Sequence, residues 1–227
     1  MVDQRKENYH YEEALKTLRT NIQFAGAEIT SILVTSCYPN EGKSDIVSQL
    51  AKEMGKAGKK VLLLDADIRK SAFIQRFQIE GEVKGLSQYL SGQVAVRDIL
   101  YTTNYANVDI IFAGPVAPNP SELLEGKLFA HLVEGLSHRY DYILIDTPPM
   151  ASVIDAAIVG GVCDGAILVI EDGTVGYRAA QKVKAQLEKS GSRVLGAVLN
   201  KVEMKKGKYY SYDKYGKYSK YGRYGKY

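Results

Sequence analysis

An α/β fold, with a mostly parallel central sheet covered by helices on both faces, is predicted by three observations. Short apolar runs alternate with helical stretches along most of the chain. One run feeds a Gly-Lys-Ser loop that opens a helix, and two others end on aspartate. With 227 residues, 45% hydrophobic and 25% charged, the chain has material for one sizeable core, and a second large domain is not expected.

The elements follow in order. Tyr11 to Ile22 places Ala14, Leu15, Leu18 and Ile22 at helical spacing, which predicts an amphipathic helix. Glu13, Lys16 and Arg19 step by three along it and form one charged stripe, either a solvated face or a contact between subunits. From Ser31 the pattern reads strand (31–36), loop, helix (about 45–57), Gly58 and a buried strand Lys60-Val61-Leu62-Leu63-Leu64-Asp65, which together make a βαβ unit. Later apolar runs at 107–112, 141–146, 165–171 and 194–200 alternate with helical stretches near 85–100, 121–139, 153–163 and 176–190. Pro115-Val116-Ala117-Pro118-Asn119-Pro120 reads as a rigid structural turn, with Ser121 placed to cap the helix after it.

The loop Thr35-Ser36-Cys37-Tyr38-Pro39-Asn40-Glu41-Gly42-Lys43-Ser44 has the form of a phosphate loop, and with its flanking strand and helix it makes the predicted fold P-loop NTPase-like. Such a loop aims backbone N–H groups and the positive end of the following helix at one anion. A lysine reaches the outer phosphates, and a hydroxyl serves Mg²⁺. Cys37 stands where the strict pattern has its first glycine.

In a parallel α/β sheet, ligands bind outside the carboxyl ends of the strands, so acids there carry meaning. Asp146, closing Ile143-Leu144-Ile145, is the candidate Mg²⁺ partner of the loop. Asp65 and Asp67 close the other run, one able to face the phosphates while the other contacts Mg²⁺ or Arg69. A tyrosyl hydroxyl, with a pKa of about 10, benefits from a group that accepts its proton, and Asp65 is the candidate base.

Composition changes abruptly after Met204. Residues 205–227 hold eight Lys/Arg against Asp213 alone, so the tail carries +7 and the rest −3 of the net +4. Eight of the 17 tyrosines fall in the last 19 residues, recurring every third residue from Tyr212. A three-residue step drifts around a helix of 3.6 residues per turn, and no aliphatic residue is present to build a core, so a disordered, solvated tail is expected. Fully extended, its 23 residues at about 3.3 Å each would reach roughly 75 Å. Lys interleaved with Tyr would also suit single-stranded nucleic acid or an acidic membrane, although nucleic acid is the less favoured partner.

No apolar stretch approaches the roughly 18 to 20 residues that span a bilayer, and the first ten residues lack a signal-peptide core, so a cytoplasmic protein is expected. Cys37 and Cys163 are read as small buried fillers, and His10, His131 and His138 as surface or core-edge residues.

These residues together resemble the bacterial tyrosine kinases of capsule and exopolysaccharide synthesis, of the separate cytoplasmic type found in Gram-positive bacteria. Leu62-Leu63-Leu64-Asp65-Ala66-Asp67-Ile68-Arg69 is similar to that family's additional Walker A′ motif, and Ile143-Leu144-Ile145-Asp146-Thr147-Pro148-Pro149 to its Walker B. Gly114 to Leu124 and the tyrosine-rich end also resemble family signatures. The resemblance implies an ATP- and Mg²⁺-dependent protein-tyrosine kinase that phosphorylates its own tail and regulates polysaccharide polymerisation and export.

By this resemblance Lys43, Asp65, Asp67 and Asp146 are catalytic, with Ser44, Asp67 and Asp146 serving the metal. Asn40, Glu41, Gly42, Lys43, Ser44, Asp45, Arg69 and Asn200 would bind the nucleotide. Tyr209, Tyr210, Tyr212, Tyr215, Tyr218, Tyr221, Tyr224 and Tyr227 would be autophosphorylated. Glu13, Lys16 and Arg19 are similar to the family's Glu-x-x-Arg-x-x-Arg subunit contact, with Lys16 in place of the first arginine. In the loop, Asn40 stands where the family commonly has Gly and Asp45 where it commonly has Thr. The implied organisation is an oligomerisation helix in 1–30, a kinase domain in 31–204 and a flexible tail in 205–227. The implied partners are a membrane-embedded activator or polysaccharide co-polymerase, a cognate tyrosine phosphatase and further copies of the chain, in a ring or another assembly, at the inner face of the membrane. The rival reading is a nucleotide-driven positioning switch similar to the MinD and ParA proteins, which share the general fold.

Overall fold

The computed structural model describes residues 4–203. The tyrosine cluster from Tyr209 to Tyr227 therefore lies outside the described residues, as does the expectation of a disordered tail.

Seven strands form one sheet: β1 (Ser31–Ser36), β2 (Val61–Asp65), β3 (Tyr101–Thr102), β4 (Val108–Ile111), β5 (Tyr142–Asp146), β6 (Gly165–Glu171) and β7 (Val194–Asn200). Their order is β3-β4-β2-β5-β1-β6-β7, parallel throughout except for the two-residue β3 at one edge. The apolar runs read from sequence therefore become strands close to their expected bounds. Strands β1, β2 and β5 are buried along their whole length, as expected where helices cover both faces.

Alternation along these strands divides the core in two. Leu33, Leu62, Leu64, Ile143, Ile145 and Leu168 face one layer, which holds α4 (Leu86–Leu90), α5 (Pro120–Glu125), α6 (Lys127–Ser137), α7 (Asp155–Gly160) and α8 (Tyr177–Lys189). Ile32, Val34, Leu63, Leu144, Ile167 and Val169 face the other, which holds α1 (Gln4–Ala25), α2 (Lys43–Lys56) and α3 (Phe73–Arg76). Each fully buried Leu, Ile or Val contributes about 1.5–3 kcal/mol of transfer free energy. The continuous apolar strands are thus the chief stabilising feature.

Several expected helices differ from the observed ones. The stretch 85–100 is not one helix: α4 ends after Leu90, Gly92 takes a left-handed φ of 74°, and a 3₁₀ turn over Val96–Asp98 follows. Asp98 stabilises that turn by accepting the Ala95 N–H at 3.0 Å. The stretch 121–139 divides at Gly126, whose extended backbone separates α5 from α6. The stretch 153–163 shortens to α7, while α1 is longer than its apolar spacing suggested.

Ser121 does not cap α5. The N-cap is Asn119 with Pro120 following it, a position where proline's missing N–H costs nothing, and the Ser121 hydroxyl is used elsewhere. Cys37 is fully buried and Cys163 half-buried with its thiol on the Val159 carbonyl, in keeping with a filler role. All three histidines are exposed.

Candidate functional site

The site gathers at the carboxyl ends of β1, β2, β5 and β7, because parallel pairing brings these ends to one edge. Leucine-rich β2 and β5 pair in register so that Asp65 lies directly opposite Asp146. On the other side of β5, Val34 is paired with Asp146, and two residues later β1 gives way to the loop.

The loop reaches α2 through two residues with positive φ, Asn40 at 69° and Gly42 at 87°. Asparagine tolerates this conformation better than most residues, so its replacement of glycine fits the turn. Gly42 is needed on a second ground: a Cβ there would stand 2.3 Å from the Asn200 amide nitrogen. The Glu41 carboxylate is buried and turned inward, accepting the Tyr38 N–H and, at 3.0 Å, the Glu171 N–H. Its side chain therefore holds the loop in shape, and only its backbone is available to a ligand.

Residues at the end of β7 and just past it brace the loop. The Asn200 side-chain amide donates to the Glu41 carbonyl at 2.9 Å, and Lys201 Nζ donates to the Asn40 carbonyl at 2.7 Å and to Glu171 at 2.9 Å. Asn200 and Lys201 thus lie against the phosphate loop.

At the mouth of α2, Ser44 Oγ donates to Asp146 Oδ2 at 2.6 Å. Lys43 Nζ lies 3.0 Å from Ser44 Oγ, 3.5 Å from Asp146 Oδ2 and 3.9 Å from Asp67 Oδ2. Asp67 also accepts the Lys70 N–H at 2.9 Å, which closes the turn after β2. Asp65 is fully buried, with Ser71 Oγ donating to one carboxylate oxygen and the Asp67 N–H, at 3.2 Å, to the other.

Crowding these acids changes their chemistry. Burial, reinforced by the Asp146 charge, pushes the Asp65 carboxyl up to about 8, against the opposing hydrogen bond from Ser71. Asp146 is raised as well, mainly by burial, with Lys43 and Ser44 pulling the other way. Its second oxygen, Oδ1, is buried with no hydrogen-bond partner among the described residues. A buried carboxylate oxygen without a partner is costly unless a ligand completes it.

Other nominated residues fall elsewhere. The Asp45 side chain pairs with Arg76 of α3 rather than with any residue of the loop. Arg69 is held by Asp155, Nε to Oδ2 at 2.6 Å and Nη2 to Oδ1 at 3.0 Å, with Ser121 joining both. In α1, Lys16 pairs with Glu13 of its own helix at 2.7 Å, and Arg19 reaches Glu53 of α2 at 3.1 Å. This stripe is therefore partly internal.

Sequence reading placed Glu41 at the nucleotide rather than as a brace of the loop, and missed the roles of Ser71, Asp155 and Lys201. Glu41 lies within the phosphate loop and Ser71 two residues past the Leu62 to Arg69 motif, so their spacing could have suggested them. Asp155 and Lys201 acquire their roles from contacts between distant segments and leave no local signal.

Comparison with known proteins agrees with this geometry. Residues 40–189 match the family described as AAA domain. The chain is 42% identical over 201 residues to the tyrosine-protein kinase CpsD of Streptococcus agalactiae, with 88% of each chain covered. Among solved structures, the kinase domain of the Escherichia coli tyrosine kinase ETK is similar with a TM-score of 0.83 at 34% identity, over 88% of this chain and 79% of that one. The chimerical protein CapA2B2 gives 0.80 at 33% over 85% of each chain. The septum site-determining protein MinD of Pyrococcus horikoshii, complexed with Mg-ADP, is more distant at 0.65 and 26%, over 75% of this chain and 69% of that one.

Proposed function

The chain belongs to the bacterial tyrosine-protein kinases of capsular polysaccharide synthesis, and on that premise we propose how its site acts and on what. It is an ATP-using protein-tyrosine kinase. Lys43 and the backbone of residues 40–45 hold the ATP phosphates, where the positive end of α2 adds its dipole. Asn200 borders this site through the Glu41 carbonyl.

The residues present fit a magnesium ion. Ser44 Oγ and Asp146 share one short contact, Asp146 Oδ1 lacks a partner among the described residues, and the donors are the hard oxygens that Mg²⁺ prefers. No group of three or more acidic, His or Cys side chains preformed for a metal occurs among the described residues. An ion arriving with its nucleotide would be held by Ser44 and Asp146, with Asp67 nearby. When bound, it would neutralise developing phosphate charge.

Asp65 accepts the proton of the tyrosine hydroxyl as its oxygen attacks the γ-phosphorus and the bond to the ADP oxygen breaks. A pKa of about 8 lies closer to that of tyrosine than an ordinary carboxyl does, which makes Asp65 a stronger base once deprotonated. The substrate is the tyrosine cluster at 209–227 of this chain or a neighbour, together with partner proteins. The observation that carries this reading is the meeting of Lys43, Ser44, Asp65, Asp67 and Asp146 beside the point where the chain leaves β7.

Among the described residues no helix is long and apolar enough to cross a membrane. A membrane-embedded activator is proposed to recruit the kinase to the inner face of the membrane and to complete its ATP site. A tyrosine phosphatase resets the tail, and α1 contributes to homo-oligomers. Likeness to the CapA2B2 chimera supports the partner.

The test is incubation of full-length protein with Mg·ATP. Phosphotyrosine is expected, mapping to residues 209–227, with labelling reduced at least about 100-fold in Lys43→Met. Steady phosphate release without protein labelling would favour the positioning-switch reading instead.

A further inference from the structure

The Pro-rich turn and the buried Asp155 have no part in the chemistry so far. Asp155, the first residue of α7, is fully buried, an unusual place for a carboxylate unless it is paired. It grips Arg69 at two points, 2.6 and 3.0 Å, in the fork geometry that gives arginine–carboxylate pairs their directionality. Ser121 Oγ donates to Asp155 Oδ1 at 2.7 Å and accepts from Arg69 Nη2 at 2.9 Å, so three groups close a ring of hydrogen bonds.

These groups come from three separate segments. Arg69 ends the stretch that begins with Asp65 and Asp67. Ser121 is delivered by the Pro115 to Pro120 turn at the start of α5, and Asp155 opens α7 after the segment that follows Asp146. Asp65 is held within its turn by Ser71 and the Asp67 N–H, and Asp67 by the Lys70 N–H. Within this turn Arg69 is the residue that anchors the stretch to α5 and α7.

We propose that Asp155 is a positioning residue for phosphoryl transfer, acting through Arg69 and Ser121 to hold Asp65 and Asp67 in place. The proline-rich turn then has a function, which is to present Ser121 to this latch. The inference rests on the proposed roles of Asp65 and Asp67 at the γ-phosphate. It leaves the phosphate loop untouched, since no latch residue bonds to residues 37–44. Breaking the latch should therefore slow transfer without weakening nucleotide binding.

Full-length Asp155→Asn and Ser121→Ala are compared with wild type and Lys43→Met. The readouts are the phosphotyrosine rate at saturating Mg·ATP, KM for ATP, affinity for a fluorescent ADP analogue and melting temperature. Misplacement of reacting groups by about an ångström can cost roughly 100-fold, so Asp155→Asn is expected to slow transfer about 10- to 100-fold and Ser121→Ala about 3- to 10-fold. KM and ADP affinity should stay within about 2-fold, the signature of an interaction that matters only in the transition state. Ser121→Thr, which keeps the hydroxyl, should recover most of the rate.

A wild-type rate in Ser121→Ala would overturn the proposal, even if Asp155→Asn fails to fold. Parallel loss of rate, nucleotide affinity and melting temperature in Ser121→Ala would also overturn it, by marking a merely structural role. A Lys43→Met protein as active as wild type would sink the underlying site reading itself, whatever the latch variants do.

Discussion

Asp65, fully buried opposite Asp146 at the end of β2, carries the clearest pH dependence. A carboxyl whose pKa rises on folding contributes stability that is fully present below its unfolded value near 3.8 and is lost as pH climbs through about 8. Asp146, also raised, acts with the same sign. The melting temperature of the nucleotide-free protein should therefore fall between pH 5 and pH 9. Asp65→Asn should flatten that fall and melt several degrees higher at pH 8, while slowing tyrosine phosphorylation about 10²- to 10⁴-fold. Scanning fluorimetry across this range checks it, and parallel curves for variant and wild type would count against it. Asp45 gives the opposite kind of prediction. Its pair with Arg76 is substantially exposed and engages no loop residue, so Asp45→Thr should change stability by less than about 1 kcal/mol and KM for ATP by less than about 2-fold.

At the scale of elements, α1 is tied to the rest of the chain by a small set of contacts. Leu15 is buried, Ile22 joins the core layer that holds α2, and Arg19 crosses to Glu53. Ile22→Ala should destabilise by about 2–4 kcal/mol in urea unfolding, the usual cost of emptying a buried aliphatic site. The charged stripe has a dual character. Arg19 is committed largely within the chain, whereas Lys16 and Glu13 are half-exposed and free to exchange partners across an interface. Lys16→Arg restores the planar fork and should shift the population toward larger oligomers in light scattering at equal concentration.

At the scale of the whole molecule, charge separates into a basic terminus and a slightly acidic remainder. Each phosphate adds about −1.5 to −2 charges, so roughly four would cancel the +7 of residues 205–227. Unphosphorylated protein should therefore sediment with vesicles rich in anionic lipid. Exhaustive autophosphorylation should abolish this, and salt should weaken it in the unphosphorylated form. Equal binding by the two forms would refute the electrostatic switch.

Much of this architecture was legible from local pattern alone. Continuous apolar runs ending in Asp identified β2 and β5, and Gly42-Lys43-Ser44 after β1 identified the loop, because strand burial and loop chemistry are properties of neighbouring residues. Helix limits were less legible, since Gly92 and Gly126 break stretches whose apolar spacing continues past them. Only the tertiary structure decided that β2 and β5 lie side by side, which sets Asp65 against Asp146 in a buried site, where burial raises both and the Asp146 charge raises Asp65 further. It also decided that Asp45 turns to Arg76, that Lys201 braces Asn40, and that Asp155 and Ser121 hold Arg69. These are contacts between residues far apart in the chain, chosen by strand order and packing, and no local period or propensity encodes them.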